Sequence, residues 1–104
     1  MRYRVEIAAS AKADIQESAR WLAEQASPAA ATHWVAGLHK AMSTLEKQPG
    51  RCPVIAESHK FPVELRELLH GRSKTGKHRI IFTIEADMVR VVYVRHTARD
   101  ELEP

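Results

Sequence analysis

From Tyr3 to Ile7 apolar and charged residues alternate, with Tyr3, Val5 and Ile7 on one side and Arg4 and Glu6 on the other. That two-residue period predicts a half-buried first strand. The period then changes: Ile15, Ala19, Leu22 and Ala26 recur at helical spacing through a segment rich in Ala, Glu, Gln and Lys, with Ser10 standing where an N-cap would. A first helix is expected over about 11–25. Ser27 followed by Pro28 places a capping hydroxyl before a proline whose missing N–H costs nothing at the first helical position. The stripe that follows is the cleanest in the chain: Ala31, Trp34, Val35, Leu38, Ala41, Met42 and Leu45, ended by Pro49 and Gly50. With so short a connection, the two helices should form an antiparallel hairpin.

The segment 51–62 holds Cys52, Pro53 and Pro62 among polar residues and reads as an irregular connection. Strand character resumes near Val63, but Glu67 followed by Leu68 and Leu69 breaks the alternation, which suggests a bulge or twist there. Gly71 and Gly76 flank Arg72, Ser73, Lys74 and Thr75, so 70–77 reads as an exposed basic hairpin loop. The segments 79–85 and 88–95, rich in Ile, Val, Phe and Tyr and joined at Ala86 and Asp87, are the strongest strands and belong at the centre of the sheet. The tail 97–103 is long enough for one short helical turn. The order strand, helix, helix, strand, strand, strand is that of an α+β fold, a helical hairpin packed on one face of a mainly antiparallel four-stranded sheet. The other face would be open.

At 104 residues, with 44% apolar and 28% charged residues, the chain is expected to be a single domain over 1–104 rather than a disordered tail or a membrane protein. Its one cysteine excludes an internal disulfide framework and any Cys-rich zinc site. The first 15 residues hold no apolar run long enough for a signal peptide or a membrane span, and with the lone cysteine they point to a cytoplasmic protein. The net charge of +3 is mild but unevenly placed. Between Arg66 and Arg99 lie eight Lys and Arg residues against Glu67, Glu85 and Asp87, before His70, His78 and His96 are counted. A field of that sign attracts phosphates, nucleic acid or an acidic protein.

Tyr3 to Ala8, the Ala-rich helix with Asp14, Ile15 and Trp21, and Trp34 and Leu38 in the second helix carry a wider pattern. It continues through Pro49-Gly50-Arg51, the run Glu64 to Leu68, His78 to Phe82, and Val94 to Arg99. In that order and spacing, over nearly the whole chain, the sequence resembles the ParE/RelE superfamily of toxins from type II toxin–antitoxin pairs. The resemblance implies a toxin bound and neutralised by a cognate antitoxin, with no cofactor. RelE-like members cut ribosome-bound mRNA with a cationic cluster, because transfer from a ribose 2′-oxygen needs charge stabilisation at the phosphate and proton transfer at both ends. Arg79 and Arg99 fall near two such positions, but Glu64 and Glu67 stand where lysines would be expected, and a carboxylate repels a phosphodiester. ParE-like members are regarded as binding inhibitors of DNA gyrase without catalysis of their own, and this sequence looks more like that branch. The mRNA endonuclease remains the alternative.

The catalytic candidates are Arg79, His96 and Arg99. His96 can change charge near neutral pH or simply make a structural hydrogen bond at a strand end. Arg79 can hold a phosphate or pair with Glu64 or Glu67 on the neighbouring strand. For partner binding the candidates are Arg66, Arg72, Lys74, Lys77, Arg79, Arg95 and Arg99, spread over the open sheet face. Trp34 belongs to the core stripe, and Trp21 falls off its helix's stripe and should be partly exposed. The six histidines lack metal-ligand spacing, and Cys52 reads as a small apolar filler.

Overall fold

A computed structural model of the chain describes residues 1–72, 76–97 and 101–104, with Arg72 and Gly76 described by backbone alone. Strand β1 (Arg4–Ile7) leads into helices α1 (Ala9–Gln25) and α2 (Pro28–Ser43). Strands β2 (Arg66–Arg72), β3 (Gly76–Glu85) and β4 (Met88–His96) complete one sheet in the order β1-β4-β3-β2. β1 runs parallel to β4, and the other pairs are antiparallel, so the two most apolar strands are the central ones.

Ser27 caps α2 as its position requires, its Oγ accepting the Ala30 N–H at 3.0 Å with Pro28 in the first turn. Ser10 does not cap α1. The helix begins two residues earlier than the capping residue implied, and Ser10 Oγ donates instead to the Val92 carbonyl. The reason is an unpaired strand edge: β1 pairs with β4 only as far as Val91, leaving Val92 and Val94 without a strand neighbour on that side. Ser10 and Asp14, one turn apart on α1, take over from the missing strand, and Asp14 Oδ2 accepts the Val94 N–H at 2.9 Å.

The sheet separates two apolar clusters. On the helical side, Ala11, Ile15, Leu38, Met42 and Leu45 pack on Ile80, Phe82, Val89, Val91 and Val94. Cys52 is buried with them, and burial pushes its thiol pKa up. On the other side Ile55, Leu65, Ile81 and Leu102 form a second cluster with Phe61, Val92 and Tyr93 around it. That face is therefore not open: the irregular connection and Leu102 of the tail cover part of it. The connection supplies a short 3-10 turn (Ala56–Lys60) and a bridge from Val54 to Arg66.

Three boundaries differ from the expectation. β2 starts at Arg66 rather than near Val63, because Leu65 turns into the second cluster instead of alternating along a strand. The bulge is not at Glu67 to Leu69 but at the register shift between Ile81 and Phe82, opposite Val92, so Val92 and Tyr93 both join the outer cluster. The hairpin 70–77 is mostly paired strand, with His70 opposite His78 and Arg72 opposite Gly76, since the ladder's hydrogen bonds continue past Gly71. Its tip, 73–75, and the stretch 98–100 that would begin the expected helical turn lie outside the described residues.

Candidate functional site

Alternate residues of a strand point to opposite faces, and this decides where the predicted site residues go. Leu69, Arg79 and Arg95 form one cross-strand row on the outer face, and His70, His78 and His96 form the next row, on the helical face.

On the outer face, Arg79 Nη1 and Nη2 donate to the two carboxylate oxygens of Glu57 at 2.8 and 2.9 Å, while Nε donates to Glu67 Oε1 at 2.7 Å. Bidentate pairing matches the guanidinium fork to a planar carboxylate. The Arg79 side chain is only 16% exposed and Glu57 is buried. The hydrogen bonds from Arg79 hold the Glu57 carboxyl down to about 2 against the opposing effect of burial, with the Leu102 N–H adding to the hold. Reciprocally, Glu57 foremost and then Glu67 hold the Arg79 guanidinium above its ordinary value against burial. A shallow cavity of about 500 Å³ beside this cluster is lined by Glu57, Glu67 and Glu101 against Arg79.

The other described arginines of the predicted surface are also joined to their own chain. Arg66 donates to the carbonyls of Cys52 at 2.6 Å and Gly50 at 3.1 Å, and to Glu64 at 3.0 Å. Arg95 Nε donates to Asp14 at 3.1 Å with its guanidinium 4.9 Å from the Tyr93 ring centre. Lys77 is exposed, and its carbonyl accepts the Thr97 N–H at 2.8 Å. The side chain of Arg72 and all of Lys74 and Arg99 lie outside the described residues.

The helical face carries a larger concavity, a groove of about 1030 Å³ between the helical hairpin and the ends of β2, β3 and β4. His33, His70, His78 and His96 line it together with Trp21 and Trp34. The His78 ring lies 5.0 Å from Trp34 and 5.1 Å from His96, edge-on to the latter. Burial, and then the neighbouring His96 and His70, push His78 down to about 4. Gly37 of α2 lies beside the His70 ring, where a Cβ would stand in ordinary van der Waals contact with it, 3.5 Å from Nε2. The buried Trp34 indole N–H has no acceptor among the described residues. Trp21, 62% exposed, forms part of the rim. Among the described residues no group of three or more His, Cys, Asp or Glu side chains is placed to hold a metal ion.

The family profile described as "ParE toxin of type II toxin-antitoxin system, parDE" matches residues 5–101. The chain belongs to the ParE toxin family. A solved structure from P. aeruginosa, titled as a chromosomal ParDE TA system, shares the fold at a TM-score of 0.73 and 14% identity. The match covers 91% of this chain and 96% of that one. No curated protein sequence matches. Among the described residues of this ParE-family chain, no helix is long and apolar enough to cross a membrane.

Two features escaped the sequence reading. Glu57 sits in a polar stretch of the irregular connection, 22 residues from Arg79, with nothing local to single it out. The histidine row did leave a trace: His70 and His78 are equidistant from the hairpin tip, and His78 and His96 lie almost symmetrically about the Ala86-Asp87 turn.

Proposed function

We propose that this ParE-family chain is a binding toxin that inhibits DNA gyrase in the cytoplasm without catalysis or cofactor of its own, and that a cognate antitoxin neutralises it. The observation that carries the non-catalytic part is the separation of Arg79 from His96 by the sheet. Arg79 is on the outer face with its fork filled by Glu57, and His96 is in the groove on the helical face. A phosphodiester-cleaving site needs its cation and its proton-transfer group at one phosphate. These two cannot serve the same one, and the cavity beside Arg79 is dominated by carboxylates. Gyrase as target rests on the ParE-like branch of the superfamily, and the antitoxin on the family and on the two-component system named for the structural relative.

The purified chain should inhibit gyrase supercoiling or trap cleaved DNA, and should leave ribosome-bound mRNA intact. Codon-specific cutting of mRNA on the ribosome, lost in Arg79→Ala, would replace this reading with the endonuclease.

A further inference from the structure

Most of the sheet's edge is closed against further pairing. β1 is only four residues long and carries exposed Arg4 and Glu6, and just before it the Tyr3 N–H donates to the Glu46 carbonyl at 2.8 Å. Past the end of β1, Ser10 and Asp14 answer Val92 and Val94 of β4. On the opposite edge, the odd-numbered residues of β2 turn their main-chain groups away from β3, since Glu67 N–H donates outward to the Pro53 carbonyl at 3.1 Å. Leu65 is answered on the same side, its carbonyl by Ile55 N–H at 3.0 Å and its N–H by Ser58 Oγ at 2.9 Å. Beyond Glu67 this cover stops: among the described residues nothing pairs with the outward main-chain groups of Leu69 and Gly71. Leu69 is also 48% exposed, an apolar side chain on an unguarded stretch of edge.

The chemistry beside this edge selects its partner. The cavity that Leu69 lines carries three carboxylates, Glu57, Glu67 and Glu101, against Arg79, whose nitrogens are already committed to Glu57 and Glu67. A strand laid here gains most from an apolar residue opposite Leu69 and a nearby Lys or Arg that reaches the carboxylates. A second copy of the chain does not supply that strand: pairing with Leu69 opposite its counterpart sets the copy's Gly71 against Glu67, whose N–H Pro53 already holds. An antitoxin that answers the chain's net charge of +3 is acidic, and these carboxylates repel it. An enzyme that works on DNA, by contrast, carries a basic surface because it must hold phosphates.

We propose that the toxin docks on gyrase through the open edge of β2 at Leu69 and Gly71, which pairs with an extended basic segment of the enzyme's DNA-handling surface. The inference rests on the gyrase reading above and adds to it a surface and the chemistry of the segment that meets it.

The test joins hydrogen exchange to supercoiling inhibition, with the full chain and the gyrase holoenzyme. Amide exchange over 67–71 should slow when gyrase is added, and the slowing should fade as salt rises; this readout needs no variant. Leu69→Lys keeps the strand's main chain and sets a repelling charge on its edge. It should raise the toxin concentration for half inhibition by about tenfold or more, with a melting temperature near the wild-type value. Leu69→Glu, equally polar but of attractive sign, should lose less. Unslowed exchange over 67–71 while gyrase is inhibited, equal potency of Leu69→Lys and wild type, or equal loss in the two variants each overturns this docking edge and leaves the gyrase reading standing. Slowing by the antitoxin but not by gyrase, or by raising the concentration of the chain alone, gives the edge to the antitoxin or to a second copy and overturns it likewise. A wild-type chain that leaves gyrase uninhibited overturns the gyrase reading, and the docking edge with it.

Discussion

Arg79 and Glu57 meet through two parallel hydrogen bonds, and the same Glu57 carboxylate accepts the Leu102 N–H at 3.0 Å. One buried acid thereby fastens a central strand, the irregular connection and the C-terminal tail. The pair stands at the margin of the second apolar cluster, where Leu102 meets Ile55, Leu65 and Ile81. An arginine that a nuclease would present to phosphate here closes the outer layer of the fold.

Truncating one member of a buried pair leaves the other charge uncompensated. Glu57→Ala should therefore destabilise the chain by about 3 kcal/mol in urea unfolding, more than an exposed ion pair such as Arg4–Glu6 could account for. The double change Glu57→Leu with Arg79→Met should recover much of that loss, because it removes both desolvation penalties together. A cost for Glu57→Ala below that of an ordinary surface substitution would show that the pair does not hold the layer. By the same reasoning, charge reversal at Arg79 and Arg95 should lower stability before it alters any binding, whereas reversal of the exposed Lys12 and Lys40 should not.

Stability should fall with acid in two stages. His78 stays neutral in the folded chain down to about 4, while an unfolded imidazole takes up its proton near 6.5. Between those values the unfolded state binds more protons, so the contribution of His78 is complete above pH 6.5 and is lost as pH falls toward 4. Glu57 stays ionised down to about 2 against an ordinary 4.5, so its contribution is complete above pH 4.5 and is lost from there toward pH 2. His78→Gln should flatten the upper arm of a melting-temperature profile and Glu57→Gln the lower one. An identical slope between pH 6.5 and 4.5 in His78→Gln would assign the upper arm elsewhere.

Asp14 does for β4 what a longer β1 would have done. Asp14→Ala deprives the Val94 N–H and Arg95 Nε of their acceptor and should cost about 1–3 kcal/mol. Asp14→Asn keeps an acceptor oxygen and should cost less. Amide exchange at Val94, measured by NMR, should quicken markedly in the alanine variant and only slightly in the asparagine one.

Leu102→Ala removes the tail's anchor from the second cluster and should cost about 2–3 kcal/mol. Lys60 is paired with Glu101 at 3.3 Å and Glu103 at 2.7 Å, and because both carboxylates are exposed, solvent screens the two pairs. Lys60→Ala should accordingly have a much smaller effect. Cleavage of the C-terminal residues by carboxypeptidase, followed by mass, should accelerate in the leucine variant and hardly change in the lysine one.

The amino-acid order alone determined the elements, because strand and helix periods, the Ser27-Pro28 start and the Pro49-Gly50 stop are local effects within a few residues of backbone. It also determined that the helical hairpin packs on the sheet, since the apolar stripes of α1 and α2 need an apolar sheet face to cover them, but not that the irregular connection and Leu102 would cover the other face. Tertiary structure decided what depends on register and on distant partners. Ser10 could have capped its helix, but the unpaired edge of β4 offered its hydroxyl a carbonyl instead. Arg79 could have met any of 13 acidic residues, and only the path of the irregular connection brings Glu57 to it. The bulge at Val92 shifts β4 by one residue against β3, setting His78 opposite His96 rather than Arg95. That single insertion gathers the histidines on the helical face and the arginines on the other, because a strand's side chains alternate and one step of register exchanges its faces.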